Sequence, residues 1–401
     1  MNKYLFFLIG LFFSQLIRAY DINDDITVHG FFTQNAILTS ANNVYGDSEH
    51  SLSTDFTEAG VNVYYTPLDK LSFSFQALYR NAGEVDEDKL EFDYGFVDLR
   101  LNEYAHGLFG IRLGRIKNPL GLYNETRDVA FTTPSIILPQ GIYFDRSRAL
   151  MRASDGLQLY FQHRFTEDNV LFKFNYGKSR NDNDELLHAV IPLPTEILPI
   201  SPQGKLKASS SSPGFLAQVI YEQNAGEIIY ALSYADVLLR YEPGKIDFFS
   251  DGTTDFQLYV LSMQYNGEKL TLTSEYKYQK NNFSGFGVLY PDVKPVSESW
   301  YIQGEYRLKP NWQIYARYDE QYSDKDNRSG KNSDLIGNPR HMSFSKSAMF
   351  GLRWDVNPSM MLRAEYHNVN GTAWLTSADN PDRSKTQQYW DIFALQLSLR
   401  F

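Results

Sequence analysis

The chain of 401 residues has no cysteine. That absence excludes a disulfide framework, a thiolate zinc site, an iron–sulfur cluster and a cysteine nucleophile. Long apolar runs are missing after the first twenty residues, and mean hydropathy is −0.40. A bundle of membrane-spanning helices is therefore excluded. Basic residues are the minority, 38 Lys and Arg against 48 Asp and Glu, and the net charge of −10 argues against a dedicated nucleic-acid binder. With 16 Pro and 26 Gly the chain is neither collagenous nor disordered. HExxH, GxSxG and Walker-type sequences are absent, so no enzyme, metal or cofactor is expected. What is abundant is aromatic: 15% of residues, with 28 Tyr and 28 Phe. Many half-buried aromatics with one polar end suit an all-β protein or a membrane–water interface.

Lys3, the apolar run from Tyr4 to Ile17 and the small Ala19 read as a signal peptide covering 1–19, which leaves 20–401 as one exported domain. The rest of the chain alternates with period two. Leu71, Phe73, Phe75, Ala77 and Tyr79 interleave with mostly polar residues, as do Trp312, Ile314, Ala316 and Tyr318, and Met360, Leu362, Ala364 and Tyr366. Sixteen such segments occur, near 26–38, 56–65, 70–80, 90–101, 107–115, 156–164, 169–176, 214–223, 227–239, 254–265, 269–280, 298–308, 312–319, 344–354, 360–368 and 388–401. Short turns such as Asn266-Gly267-Glu268 and Asn357-Pro358-Ser359 alternate strictly with long polar connections. This is the pattern of an all-β, sixteen-stranded antiparallel transmembrane β-barrel, with short turns on the periplasmic side and long loops outside. Sixteen strands fall in the porin range, wide enough for an aqueous lumen. Polar faces then point to the lumen and apolar faces to lipid. Tyr65, Tyr176, Trp300, Trp312, Trp354 and Tyr389 suit the aromatic girdles.

One connection, 116–155, is about 40 residues long, and such a loop is usually functional. It holds the apolar stretch Pro134 to Pro139 with Tyr123, Phe131, Tyr143 and Phe144, side chains suited to packing on an inner wall. It is read as an in-folded constriction loop. From Arg115 to Arg152 six bases (Arg115, Lys117, Arg127, Arg146, Arg148, Arg152) face three acids (Glu125, Asp128, Asp145). A local excess of positive charge at a narrow point favours anions. Arg112, Arg115, Lys117, Arg127, Arg146 and Arg148 are the candidate solute-binding residues. Strand parity turns Arg307, Arg317, Arg353 and Arg363, from four consecutive strands, inward as a basic stripe across from the loop. Glu84, Asp86, Glu87, Asp88 and Glu91 form an acidic external patch, read as solvated and able to bridge divalent ions to lipopolysaccharide. His367 with Glu365 is the one tempting acid–base pair, and a wall hydrogen bond explains it more simply.

The run Gly114, Arg115, Lys117, Pro119, Gly121, Leu122, followed by Phe144, Asp145 and Arg146, resembles the phosphate-selective porin O/P family. The last strand, alternating to a terminal Phe401, is similar to the C-terminal signature of bacterial outer-membrane proteins. The resemblance implies a homotrimeric Gram-negative outer-membrane porin in lipid and lipopolysaccharide. It also implies that Phe401 is an assembly signal for the barrel-assembly machinery, and that a small anionic solute, phosphate-like or carboxylate, diffuses through the pore. A non-selective porin, or a barrel serving as adhesin or receptor, is the alternative.

Overall fold

The structure, a computed structural model, describes residues 20–23, 25–86, 88–180, 185–190, 203–208, 213–288, 290–334 and 338–401. The expected signal peptide 1–19 and Glu87 of the acidic patch lie outside the described residues.

Two strands are short, β1 (Tyr20–Asn23) and β9 (Lys205–Ala208). The other sixteen are β2 (Ile26–Thr39), β3 (Ser53–Leu68), β4 (Leu71–Ala82), β5 (Lys89–Tyr104), β6 (Gly107–Lys117), β7 (Ala153–Arg164), β8 (Asn169–Ser179), β10 (Gly214–Gln223), β11 (Ile228–Glu242), β12 (Thr253–Asn266), β13 (Leu270–Ser284), β14 (Val296–Lys309), β15 (Trp312–Tyr322), β16 (Phe344–Asn357), β17 (Met360–Gly371) and β18 (Tyr389–Arg400). Each pairs antiparallel with its neighbour. β8 pairs directly with β10, and β18 pairs with β2, so sixteen strands close into a barrel with no free edge. β1 folds back antiparallel against the first residues of β2, and β9 lies along the loop end of β11. Each of the sixteen segments expected from alternation corresponds to one barrel strand.

The barrel is apolar outside and polar inside. Leu261, Phe350 and Leu395 are 57%, 55% and 58% exposed, whereas the inward Gln158, Ser233 and Gln303 are each 0% exposed. A wall with its leucines outward needs lipid around it. Aromatics decorate that face: Trp312 and Trp354 stack at 5.1 Å, and Tyr366 lies 4.9 Å from Phe393. Among the described residues no helix is long and apolar enough to cross a membrane. At the closure, Phe401 and Gly30 exchange backbone hydrogen bonds of 2.9 and 3.1 Å. The Phe401 ring lies where a side chain at residue 30 would stand, 2.2 Å from an ideal Cβ, so any larger residue there would displace the ring.

Long loops, not strands, fill the loop-end half of the lumen. One apolar cluster joins Leu120, Leu138, Ile142 and Tyr143 to Leu186, Leu187 and Val190 of a short helix (Glu185–Val190) and to inward Leu216, Val237, Leu258 and Tyr301. A second joins Ile136 and Ile137 to Val44, Tyr45, Trp374, Leu375 and Trp390. Inward tyrosines are buried as well: Tyr301 donates to Glu275 (2.9 Å) and Tyr315 to Glu365 (2.8 Å).

Candidate constriction site inside the barrel

The connection from β6 to β7 crosses the lumen and returns. Its first anchor is Gly121, whose amide donates to Ser233 Oγ (3.0 Å) on β11 and whose carbonyl accepts from Gln218 (2.8 Å) on β10. Gly121 has φ +58°, and a Cβ there would sit 2.6 Å from the Tyr143 hydroxyl. This explains the glycine of the Pro-x-Gly-Leu sequence. The second anchor is Glu275 on β13, which accepts from the Tyr143 hydroxyl (2.6 Å), Ser262 (2.6 Å) and the Leu122 amide (3.0 Å). The third lies under the apolar stretch. Gln303 donates to Pro134 O (2.9 Å), Arg317 to Ser135 Oγ (2.8 Å) and Ile137 O (3.1 Å), and Arg363 to Thr133 O (2.5 Å). Glu365 accepts from the Ile136 amide at 2.6 Å and bonds His367 at 2.9 Å. The His367–Glu365 pair therefore holds backbone.

The fourth anchor is ionic. Lys117 bridges Asp93 (2.7 Å) and Asp128. Arg148 meets Asp128 and Glu58 (3.6 Å). Arg80 meets Glu58 (3.0 Å), Asp86 and, at 3.8 Å, Asp145. Arg127 donates to Asp145 at 2.9 Å, and Arg152 donates to Glu91 and forms an ion pair with Asp93 at 3.2 Å. Lys89 joins Asp86 at the rim. Six bases (Arg80, Lys89, Lys117, Arg127, Arg148, Arg152) thus face six acids (Glu58, Asp86, Glu91, Asp93, Asp128, Asp145), so the cluster is formally neutral. Burial would raise the Asp128 carboxyl, but Arg148 and Lys117 outweigh it and hold the group well below the usual range. Asp145 is likewise lowered, burial being overcome by Arg80, Arg127 and Arg148. Burial alone would lower Arg148; Asp128 and Glu58 raise it well above its ordinary value. These groups stay ionised as a locked set.

Several candidate residues therefore stand in a different setting from the one expected. Lys117, Arg127 and Arg148 are in the ionic anchor. Arg146 donates to Glu185 (3.1 Å) and Ser377 (3.2 Å) and so ties the loop to two other loops. Arg112 is on the inner wall, bonded to Asp98 (2.8 Å) and Gln158 (2.9 Å) beneath the Tyr160 ring. Arg115 is not in the constriction. Three residues beyond inward Arg112, it falls on the outer face, paired with Asp155 (2.7 Å) and stacked on exposed Phe92 at 4.9 Å. The acidic patch is not simply solvated either, since Asp86 and Glu91 turn inward to Arg80 and Arg152.

The proposed stripe is partly assembled. Strand register aligns Arg307, Gln313, Arg353 and Arg363 in one row across β14–β17. Arg317 stands four residues above that row, towards the loop end, under the constriction loop. Arg353 pairs with Asp355 at 3.0 Å. Arg307 is exposed, and its guanidinium has no ion-pair partner among the described residues. The acceptors Glu275 and Glu365 were missed as loop anchors. Their only sequence signal was an inward carboxylate on a strand otherwise lined by neutral or basic side chains.

Closed strand count, inverted polarity and an in-folded loop define a porin-like barrel. The chain belongs to the TonB dependent receptor-like, beta-barrel family, whose model matches residues 93–384. Among solved structures it is similar to the outer membrane channel DcaP of Acinetobacter baumannii, at TM-score 0.58 and 11% identity over 96% of this chain and 99% of that one. It is also similar to OmpT of Vibrio cholerae (0.56, 12%, 96% and 100%) and to an anion-selective porin from Comamonas acidovorans (0.55, 14%, 94% and 98%). At these identities the likeness concerns the fold. No curated protein matches the chain.

Proposed function

We propose that this protein is an outer-membrane porin, through which small polar solutes diffuse down their gradients past the loop 116–155, without catalysing a reaction. The observation that carries the reading is the crossing of a sixteen-stranded lumen by one loop anchored to the wall on opposite sides. A mild preference for anions, phosphate-like or carboxylate, rests on the inward Arg307, Arg353 and Arg363 row, because the loop's own charges are neutralised. Signal-peptide export, assembly through the barrel machinery by way of Phe401, contact with lipopolysaccharide and a homotrimer belong to the same reading. One of the similar structures is described as a trimer form of Vibrio cholerae OmpT.

The test is planar-bilayer recording of the purified protein. Discrete conductance steps are expected, with a reversal potential in a KCl gradient on the anion side that moves towards neutral in Arg307→Ala with Arg353→Ala. Absence of conductance rejects the porin. It would favour the second reading, a receptor or adhesin barrel, which the two apolar clusters packed into the lumen support.

A further inference from the structure

Lys277 is buried at 7% exposure on the inner face of β13. Its ammonium has neither a hydrogen bond nor an ion pair among the described residues. The nearby carboxylates are already engaged: Glu275 by Tyr143, Tyr301 and Ser262, and Asp319 by Arg317 at 2.9 Å. Register places Ser299, Gln321 and Ser345 beside Lys277 in one row across β13–β16. Ser299 Oγ, Gln321 Oε1 and Ser345 Oγ are buried with no hydrogen-bond partner, as is Ser347 Oγ two residues further along β16. Strands ~4.8 Å apart make the row about 14 Å long. Gly141 of the constriction loop lies over its centre. An ideal Cβ there would be 2.7 Å from the Ser299 Cβ, so only glycine lets the loop backbone come this close.

A buried cation next to unsatisfied hydroxyls is costly unless something binds it, because buried polar groups need partners. We infer that Lys277, Ser299, Gln321 and Ser345 form a subsite for a hydroxylated oxyanion solute. Lys277 and Ser299 receive the carboxylate or phosphate oxygens, and Gln321 and Ser345 receive the hydroxyl-bearing part. The inference deepens the porin reading and rests on it for the solute's route. It places the solute-specific contacts on the wall under Gly141 instead of among the loop arginines.

The experiment compares gluconate with acetate, which shares the carboxylate and lacks the hydroxyls. In the wild-type channel, gluconate is expected to reduce chloride current saturably, at a concentration at least tenfold below that for acetate. Lys277→Met should raise the gluconate concentration for half-block at least tenfold while KCl conductance persists. Ser345→Ala should weaken gluconate alone. Equal half-block in wild type and Lys277→Met overturns the subsite. Calorimetry of the detergent-solubilised full chain with gluconate reads binding without conduction, and Ser299→Ala serves if Lys277→Met fails to fold. Binding lost in these variants from a barrel that does not conduct rejects the porin and keeps the subsite. Binding that survives in a conducting barrel rejects the subsite and keeps the porin.

Discussion

The two flanks of the constriction loop are held by different chemistry. Towards β3–β5, residues 117, 127–128 and 145–152 sit in a buried lattice of six bases and six acids. Towards β13–β17, residues 133–143 rest on apolar contacts and on single side chains that bond backbone, Gln303, Arg363 and Glu365. The difference shows that charge density and selectivity are separate matters in this lumen. On the charged flank every guanidinium is ion-paired within the lattice that holds the loop, although the Nε atoms of Arg127, Arg148 and Arg152 lack hydrogen-bond partners among the described residues. On the other flank the unpartnered groups include neutral side-chain oxygens, those of Ser299, Gln321 and Ser345. Removing one partner of a buried ion pair leaves the other charge stranded, whereas a neutral anchor loses one hydrogen bond among several.

The largest effect is expected from Arg148→Ala. It removes one of the two cationic partners of both Asp128 and Glu58, which keep only Lys117 and Arg80, and leaves the buried lattice one positive charge short, at a cost of about 3–5 kcal/mol. The loop should detach from the β3–β5 wall. Single-channel conductance should rise, and protease should cut within 118–152 of the folded protein. An intact loop and unchanged conductance would show that the lattice is dispensable.

Acidification should act on the same flank. Asp128 and Asp145 are depressed in the folded state. Their contribution is therefore fully present above the unfolded carboxylate value of about 4 and is lost as pH falls through their folded values. Protease sensitivity of the loop should appear only below that region, and Arg148→Ala should abolish the pH dependence.

Much of the fold was legible because period-two alternation and the short–long rhythm of connections are local signals. They located all sixteen strands. The in-folding of the long loop was legible from its apolar stretch, Pro134 to Pro139. The partners of its charges were not. Glu58, Asp93, Glu275 and Glu365 come from strands distant in sequence, and pairing at that range leaves no periodic trace. Counting charges within 115–152 thus indicated a positive constriction, while the wall supplied the compensating acids. Arg115 was misassigned for a different reason: treating the basic run as one unit ignored that residue 115 still lies within β6, on the outer face against Asp155 and Phe92, whereas Lys117, the last residue of that strand, already turns inward to Asp93 and Asp128.

On the neutral flank, Glu365→Gln is expected to cost about 1–3 kcal/mol, as one acceptor oxygen is lost beneath the Ile136 and Ile137 amides. The melting transition should fall by less than in Arg148→Ala, and conductance should rise modestly. Equal losses in the two variants would remove the distinction between the flanks.

The smallest effect should come from Arg115→Ala. Its guanidinium lies on the outer face against Asp155, whose side chain is 51% exposed. Exposed pairs contribute about 0–1 kcal/mol, and the lost stacking on Phe92 adds little. Reversal potential and gluconate block should match wild type, although Arg115 belongs to the same basic run in sequence as Lys117. A shifted reversal potential would mean that the residue reaches the lumen, and that the charged flank extends through the wall instead of ending at Lys117.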